Sequence, residues 1–582
     1  MLPGKNFRLL AIAAIIGLLA GALSIFFRAV LEGVHALILV GGQQLLGIGQ
    51  GGWRALLLPL LPAFGMLLLI PLSLLFPGEI NGYNFPRFLR QVNLEAGIIR
   101  LRTIFAKIMA CALTIGSGGS AGVEGPIAQV CGTIGSRIGQ TFRVSGNLMK
   151  VFIAAGAAGG VAAMFNAPIA GVFFAAEIVL LRTYALDSFA ALVVASAMAT
   201  VVSRAYYGDS PAFSVPDYTL LNPLLEIPLY SLLGVIIGLL AVLYIAIFYR
   251  LRDRFAALKL HPQLKPVLGG LAVGGLAIAF PQVMGDGYHY IEKVLAGEGV
   301  LAVMLALILL KMVATGLTLG GGGAGGVFAP ALFLGAVSGG AFGTVVHQLL
   351  PQHTANPGAY ATVGIGAFLA ASTHAPLTAI FLLFEMTGNY LIIIPIMLCS
   401  IIGTMVAGRL NPNSIDTVDF SREGIDITEG REVALMESIP VGRLVSGDVD
   451  FISEEANADQ LLQIFSQAKD SFYFPVIDES GRMTGIISLQ DVKNVLHDRQ
   501  LRCCARVGDI CTREVSVLTP DDNLYTAMSL FDAKGLDEIP VVEANDNRWV
   551  LGMLKRRDVI AAYNKEVIKK GISDQTASIR IT

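Results

Sequence analysis

Charge is scarce in these 582 residues. Only 14% are Asp, Glu, Lys or Arg, against roughly 25% in an ordinary soluble chain. The shortage is local: residues 1–420 hold 16 acidic and 22 basic side chains, whereas residues 421–582 hold 27 and 19. The first part is therefore +6 and the second −8, and neither has the basic excess that binding nucleic acid through bulk charge requires. Cysteine is also sparse. Cys111, Cys131, Cys399, Cys503, Cys504 and Cys511 form no C-x-x-C pair, which argues against a disulfide framework or zinc site and suits a reducing compartment for the tail. The seven histidines form no spaced ligand set. No glycine run continues into Gly-Lys-Ser/Thr, so a P-loop is excluded; Gly320, Gly322 and Gly325 satisfy G-x-G-x-x-G only behind an apolar, duplicated segment.

What is present is hydrophobic: 54% of the chain, with a mean hydropathy of +0.68. Apolar segments run near 9–36, 54–76, 104–118, 151–163, 168–181, 187–202, 227–249, 266–280, 300–318, 359–370 and 376–408. The run from Leu9 to Phe27 exceeds the 7–15 residues of a signal-peptide core, so it reads as a retained first helix. Lys5 and Arg8, then Arg250, Arg252, Arg254 and Lys259, place those loops in the cytoplasm. A cytoplasmic tail then puts both ends of a multi-pass inner-membrane part on one side.

Several segments are too short for a perpendicular crossing and are cut by Gly or Pro. In lipid such breaks survive only where protein or a hydrated cavity covers the freed backbone groups. The breaks recur. Gly122-Val123-Glu124-Gly125-Pro126 corresponds to Gly326-Val327-Phe328-Ala329-Pro330 at an offset of 204, each behind a glycine run. Asn166-Ala167-Pro168 and Glu177 correspond to His374-Ala375-Pro376 and Glu385 at an offset of 208. Paired interrupted segments in two halves point to a midplane binding site. The cluster Gly156, Gly159, Gly160 reads instead as helix-packing filler.

A helix N-terminus offers unpaired N–H groups and partial positive charge, so two of them can cradle an anion without a formal cation. Such a seat holds an ion without trapping it. Glu124 stands at the mouth of one N-terminus, while its repeat mate is uncharged Phe328. A carboxylate there imitates a tethered anion; taking up a proton removes its charge and frees the seat. Burial opposes its ionisation and the helix end favours it, leaving the balance open.

These residues resemble the CLC family of chloride channels and chloride/proton exchangers. Gly122–Pro126 is similar to its G-[RK]-E-G-P motif, with Val123 in place of the basic residue, and Gly326–Pro330 to its G-x-F-x-P motif. The run His374–Thr378, continuing to Phe384–Tyr390, resembles a late helix of that fold. The resemblance implies an α-helical polytopic inverted repeat with broken helices, a homodimer with one pathway per subunit, and Glu124 as gating glutamate. It also implies an anion seat formed by Gly82, Tyr83, Asn84, Phe85, Gly122, Val123, Gly125, Gly326, Val327, Phe328 and Ala329.

Three positions depart from the family pattern. Tyr83 stands where a serine contacts the central anion, although a phenol also donates. Asp416 stands where a tyrosine is usual; an acid there repels anions unless it turns into water, the arrangement expected. Ile178 occupies the inner proton-transfer position and cannot carry a proton, which favours a channel, or an exchanger with a water-mediated inner route. Glu177 and Glu385 read as structural, satisfying helix ends near the inner face, and His374 as a local hydrogen-bonding group rather than a metal ligand.

The tail contains a second repeat. Phe474–Asp478 with Gly485–Asp491 is matched by Ile539–Val542 with Gly552–Asp558. This resembles an α/β CBS-domain pair, which implies an adenosine nucleotide (ATP, ADP or AMP) held by Ser488 and Asp491 and, in the second unit, by Asp558; Lys555 there replaces the family's hydroxyl residue, and a lysine facing phosphate makes chemical sense. A packing and dimerisation module without ligand is the other reading. No cofactor is required. The expected organisation is a transport domain at 1–420, a linker at 421–440 and CBS units at 441–498 and 507–566. The expected function is gated movement of chloride or another small anion, with protons as a further partner. The alternative is a divalent-cation transporter using Glu124 and Asp416, which lacks a cluster of facing carboxylates.

Overall fold

The computed structural model describes residues 3–48, 52–80, 82–144, 146–181, 186–209 and 222–425, and in the tail 427, 436–437, 439–445, 447, 449–467, 472–491 and 506–566. Cys503, Cys504 and much of the expected linker lie outside these. The chain divides into two compact units, Met1–Thr428 and Glu429–Thr582.

The first unit is helical. Among the described residues, eight helical stretches are long and apolar enough to cross a membrane, from Phe7–Leu46 to Ile393–Leu410. Between them lie shorter helices that start at the breaks read from the sequence, such as Pro168–Phe174 and Pro376–Thr387. A proline in the first turn costs nothing there, because its missing N–H would have no intrahelical acceptor.

The two sequence repeats clasp each other through reciprocal bonds. Gly122 N–H donates to the Gly326 carbonyl at 2.8 Å, and Gly326 N–H returns a bond to Gly122 at 2.7 Å. Ser120 N–H donates to Thr318 Oγ1, and its mate Ala324 N–H to Thr114 Oγ1, both at 3.0 Å. Phe173 stacks on its own equivalent, Phe381, with centroids 4.6 Å apart and planes within 5°. Equivalent residues meeting antiparallel lie on a two-fold axis, so the halves are related by rotation rather than simple succession. Gly118 and Gly322 turn the chain into this junction at φ +108° and +110°, which only glycine adopts freely.

Glu177 and Glu385 act across the same axis. Glu177 accepts from the N–H groups of Leu377 (3.2 Å) and Thr378 (2.6 Å) and from the Thr378 hydroxyl (2.7 Å). Glu385 accepts from the N–H groups of Ile169 and Ala170, at 2.9 and 2.8 Å. Each carboxylate thus satisfies the N-terminus of the other repeat's short helix, the structural role expected of it. Asn166 and His374 end the preceding helices in matching left-handed conformations, both at φ 56°. The glycines at 156–160 are packing positions. A Cβ on Gly160 would come within 2.8 Å of Cys131 Sγ, and one on Gly159 within 3.1 Å of the Ala20 Cβ.

Among its described residues the second unit has two small sheets. Strand β1 (Ile452–Ser453) runs parallel to β2 (Tyr473–Ile477), which pairs antiparallel with β3 (Met483–Ser488). Strands β4 (Glu538–Glu543) and β5 (Asp546–Lys555) form an antiparallel pair. Alternate apolar residues of β2–β3 bury Phe474, Val476 and Ile487 against Leu461, while Ile539, Val541 and Leu554 of β4–β5 pack on Leu524 and Phe531.

Candidate anion site

The junction at Gly122 and Gly326 aims two helix N-termini at one place. The helix Glu124–Thr141 follows Val123, and Phe328–Leu349 follows Val327, with Pro126 and Pro330 in their first turns. Their first N–H groups have no intrahelical acceptors, and Val123, Val327, Phe328 and Ala329 around them are all buried. A negative group is the natural occupant of such a position.

Glu124 is that group. It is 1% exposed, and its carboxylate faces the N–H groups of Glu124 and Ala329, the latter in the first turn of the other repeat's helix. Its Oε2 lies where a Cβ on Gly122 would stand, so glycine at 122 is what makes room for the carboxylate. No donor meets hydrogen-bond geometry at Oε2 among the described residues. Oε1 accepts a 2.7 Å bond from the Tyr288 hydroxyl. In this arrangement the side chain occupies the space between the two helix N-termini.

Tyr288 was not foreseen. It begins a short helix, Tyr288–Leu295, after Gly285-Asp286-Gly287, and belongs to neither repeat. Gly285 and Gly287 turn the chain at φ 61° and 84°, and the fold brings that turn over Glu124. Tyr288 and Val123 also line a cavity of about 880 Å³ whose wall is mostly apolar and carries both acidic groups (Glu32, Asp286) and basic ones (Arg28, Lys293). Losing a hydrogen bond to a charged acceptor costs about 1.5–3 kcal/mol. Tyr288→Phe should therefore free Glu124 more often and raise anion flux at alkaline pH; flux equal to wild type there would refute the latch.

Phe85, Phe174 and Phe328 form an aromatic wall beside the seat, with centroids 6.2 and 5.5 Å apart along the row, and Phe85 lies against Gly125. Asn84 precedes the helix Phe85–Asn93 without capping it and lines a second, small cavity with Arg87 and Lys107. Gly82 N–H bonds the Gly322 carbonyl at 3.1 Å, which anchors this loop to the second repeat's glycine run. Ile178 is buried and apolar.

Asp416 corrects an expectation. Its side chain does not turn into water: it is 2% exposed and accepts a hydrogen bond from the Tyr83 phenol. The loop after the helix Ile393–Leu410 is drawn inward by Ile415, whose N–H bonds the Ser372 carbonyl and whose carbonyl accepts from Tyr249, at 2.9 and 2.8 Å. Tyr83 therefore spends its donor on Asp416 rather than offering it to an ion.

In the tail, Asp491 Oδ2 accepts from the Ser488 N–H and hydroxyl at 2.8 and 2.7 Å, closing the turn after β3. Lys555 was expected to face a phosphate. Its Nζ lies 3.9 Å from Glu538, whose carboxyl burial pushes above the usual range and the ammonium only partly restores. Asp558 remains partly exposed beside Arg557.

Residues 65–408 match the family described as voltage gated chloride channel, and residues 441–498 and 507–565 match the CBS domain. An H(+)/Cl(-) exchange transporter ClcA of Vibrio campbellii is 32% identical over 419 residues, covering 70% of this chain and 88% of that protein. Chloride channel protein CLC-f of Arabidopsis thaliana is 28% identical over 544 residues, covering 81% of this chain and 69% of its own. The crystal structure of a slow cyanobacterial Cl-/H+ antiporter superposes with a TM-score of 0.65 at 26% identity, over 72% of this chain and 98% of that one. With two repeats joined at Gly122 and Gly326 and a carboxylate seated between their helix ends, this chain belongs to the voltage gated chloride channel family, followed by a pair of CBS domains.

Proposed function

We propose that this protein carries chloride or a similar small anion across a membrane in exchange for protons. The observation that carries the reading is the Glu124 carboxylate seated at the N-terminus of the other repeat's helix. A group that fills the anion seat when charged and yields it when neutral links each anion's entry to a proton. The relatives described as H(+)/Cl(-) exchangers support the coupled form. A buried Ile178, which passes no proton, supports passive conduction as the second reading. The divalent-cation alternative has little support: helix N-termini repel cations, and among the described residues no three His, Cys, Asp or Glu side chains gather around a common point.

We read the membrane as the inner membrane, with both ends of the transport unit and the tail in the cytoplasm, and the assembly as a homodimer. The CBS pair is read as a regulatory module. An adenosine nucleotide there would have to compete with the Glu538 carboxylate for Lys555.

The full chain reconstituted in liposomes under an anion gradient tests the function, with anion efflux and internal pH recorded together. Proton movement opposite to and proportional with anion flux is expected. Anion flux with no proton movement would establish the channel, and metal-ion uptake without anion flux would establish the cation reading.

A further inference from the structure

The transport unit buries a second carboxylate that the Glu124 gate does not use. Among the described residues no Lys, Arg or His forms an ion pair with Asp416. Among the described residues, Arg252 is committed to Asp419 by two bonds, Arg422 to Asp253 and Arg90 to Glu423. The titratable groups that face Asp416 are three phenols: Tyr83 from the loop before the helix Phe85–Asn93, and Tyr244 and Tyr249 from the helix Pro223–Ala257. None of them carries positive charge. Oδ1 takes the Tyr83 proton donor, and Oδ2 has no hydrogen-bond partner among the described residues. A carboxylate held in protein without a counter-charge is costly while ionised, and accepting a proton relieves that cost.

Its position ties it to the same track as Glu124. Tyr244 lies within electrostatic reach of both carboxylates, and its hydroxyl stands 3.4 Å from the carbonyl of Val327 at the anion seat. Tyr83 packs edge-on against Phe248, one turn further along the same helix, with centroids 5.6 Å apart. One helix thus contributes both Tyr244, whose hydroxyl reaches the Val327 carbonyl, and Phe248, which packs on the Tyr83 that bonds Asp416.

We propose that Asp416 is a second proton-binding site on the anion track, with Tyr83 as its switchable partner. Ionised, Asp416 accepts the Tyr83 O–H and bars an anion from the place in front of that phenol. When the carboxylate takes up one proton on Oδ2 its charge is lost and Oδ1 becomes a weaker, uncharged acceptor, so that an incoming anion outcompetes it for the Tyr83 O–H. Loss of the proton restores the pair and expels the anion. The site gives the exchanger a proton acceptor that Ile178 cannot provide, and the inference rests on the proton-coupled reading above.

The test uses the full chain in liposomes, with anion flux and proton movement recorded together while pH is varied on each face in turn. Asp416→Asn keeps an acceptor for Tyr83 but fixes the neutral form. Its proton-to-anion ratio should fall well below wild type, and its anion flux should lose the response to pH on one face only, keeping the response due to Glu124 on the other. Asp416→Ser removes the charge without an amide and should give the same result; agreement of the two excludes a merely structural effect of the amide, and Asp416→Ser serves alone where the Asn variant is not monodisperse. A wild-type ratio and both pH responses in either folded variant overturn the proposal while leaving the exchanger intact. A wild-type protein that moves anions without protons overturns both.

Discussion

Glu124→Gln should abolish proton movement and leave an anion flux that no longer responds to pH on the Glu124 side. The glutamine is isosteric with the protonated side chain but cannot take the charge that holds the carboxylate between the helix ends. A carboxylate at a partly buried helix N-terminus gains up to about 2 kcal/mol, and about 1.4 kcal/mol is a tenfold change in an equilibrium. Loss of that interaction should therefore shift the seat from side-chain-filled to open by roughly tenfold or more. The measurement is simultaneous anion efflux and internal pH in liposomes. A variant that still moved protons at the wild-type ratio would remove Glu124 from the mechanism. Tyr288→Phe separates holding from titrating: it weakens the filled state but leaves a carboxylate that still binds protons, so coupling should loosen without disappearing.

The largest stability loss should follow Glu177→Ala. The change leaves the buried N–H and hydroxyl of Thr378, and the part-buried N–H of Leu377, without their acceptor. Each buried donor left unpaired costs about 1–3 kcal/mol. Glu177→Gln keeps one acceptor oxygen and should recover part of the loss. The mate, Glu385→Ala, removes two donors' acceptor at a less buried position and should cost less. Thermal unfolding of the full chain in detergent ranks the three, and equal midpoints for Glu177→Ala and wild type would show that water replaces the carboxylate.

Much of the architecture was legible in the residues. The uneven charge separated a membrane unit from a tail, and the structure divides the chain at Thr428 and Glu429, close to where the charge density changes. The offsets of 204 and 208 announced two halves with matching breaks, because a helix interrupted in lipid needs glycine and proline at fixed places. The same offsets return as reciprocal bonds between Gly122 and Gly326 and as the crossed capping by Glu177 and Glu385. Local chemistry of this kind is written in the sequence, since backbone freedom and helix termination depend on near neighbours.

Three decisions belonged to tertiary structure. Tyr288 reaches Glu124 across 164 positions of chain, from a loop whose glycines say only that it turns. Asp416 looked like a surface acid; the neighbours that draw it inward, Ser372, Tyr249 and Tyr83, are far from it in sequence. Lys555 lies beside Glu538, which faces it as its register partner in the β4–β5 ladder. A residue's type fixes which bonds it can make, but its partner is chosen by whatever the fold brings within about 3 Å. The order of residues alone thus established that a charge-poor membrane unit carries a conspicuous acid at a helix end. Only the packed chain decided that this acid is latched by a phenol, and that a second acid waits on the same track.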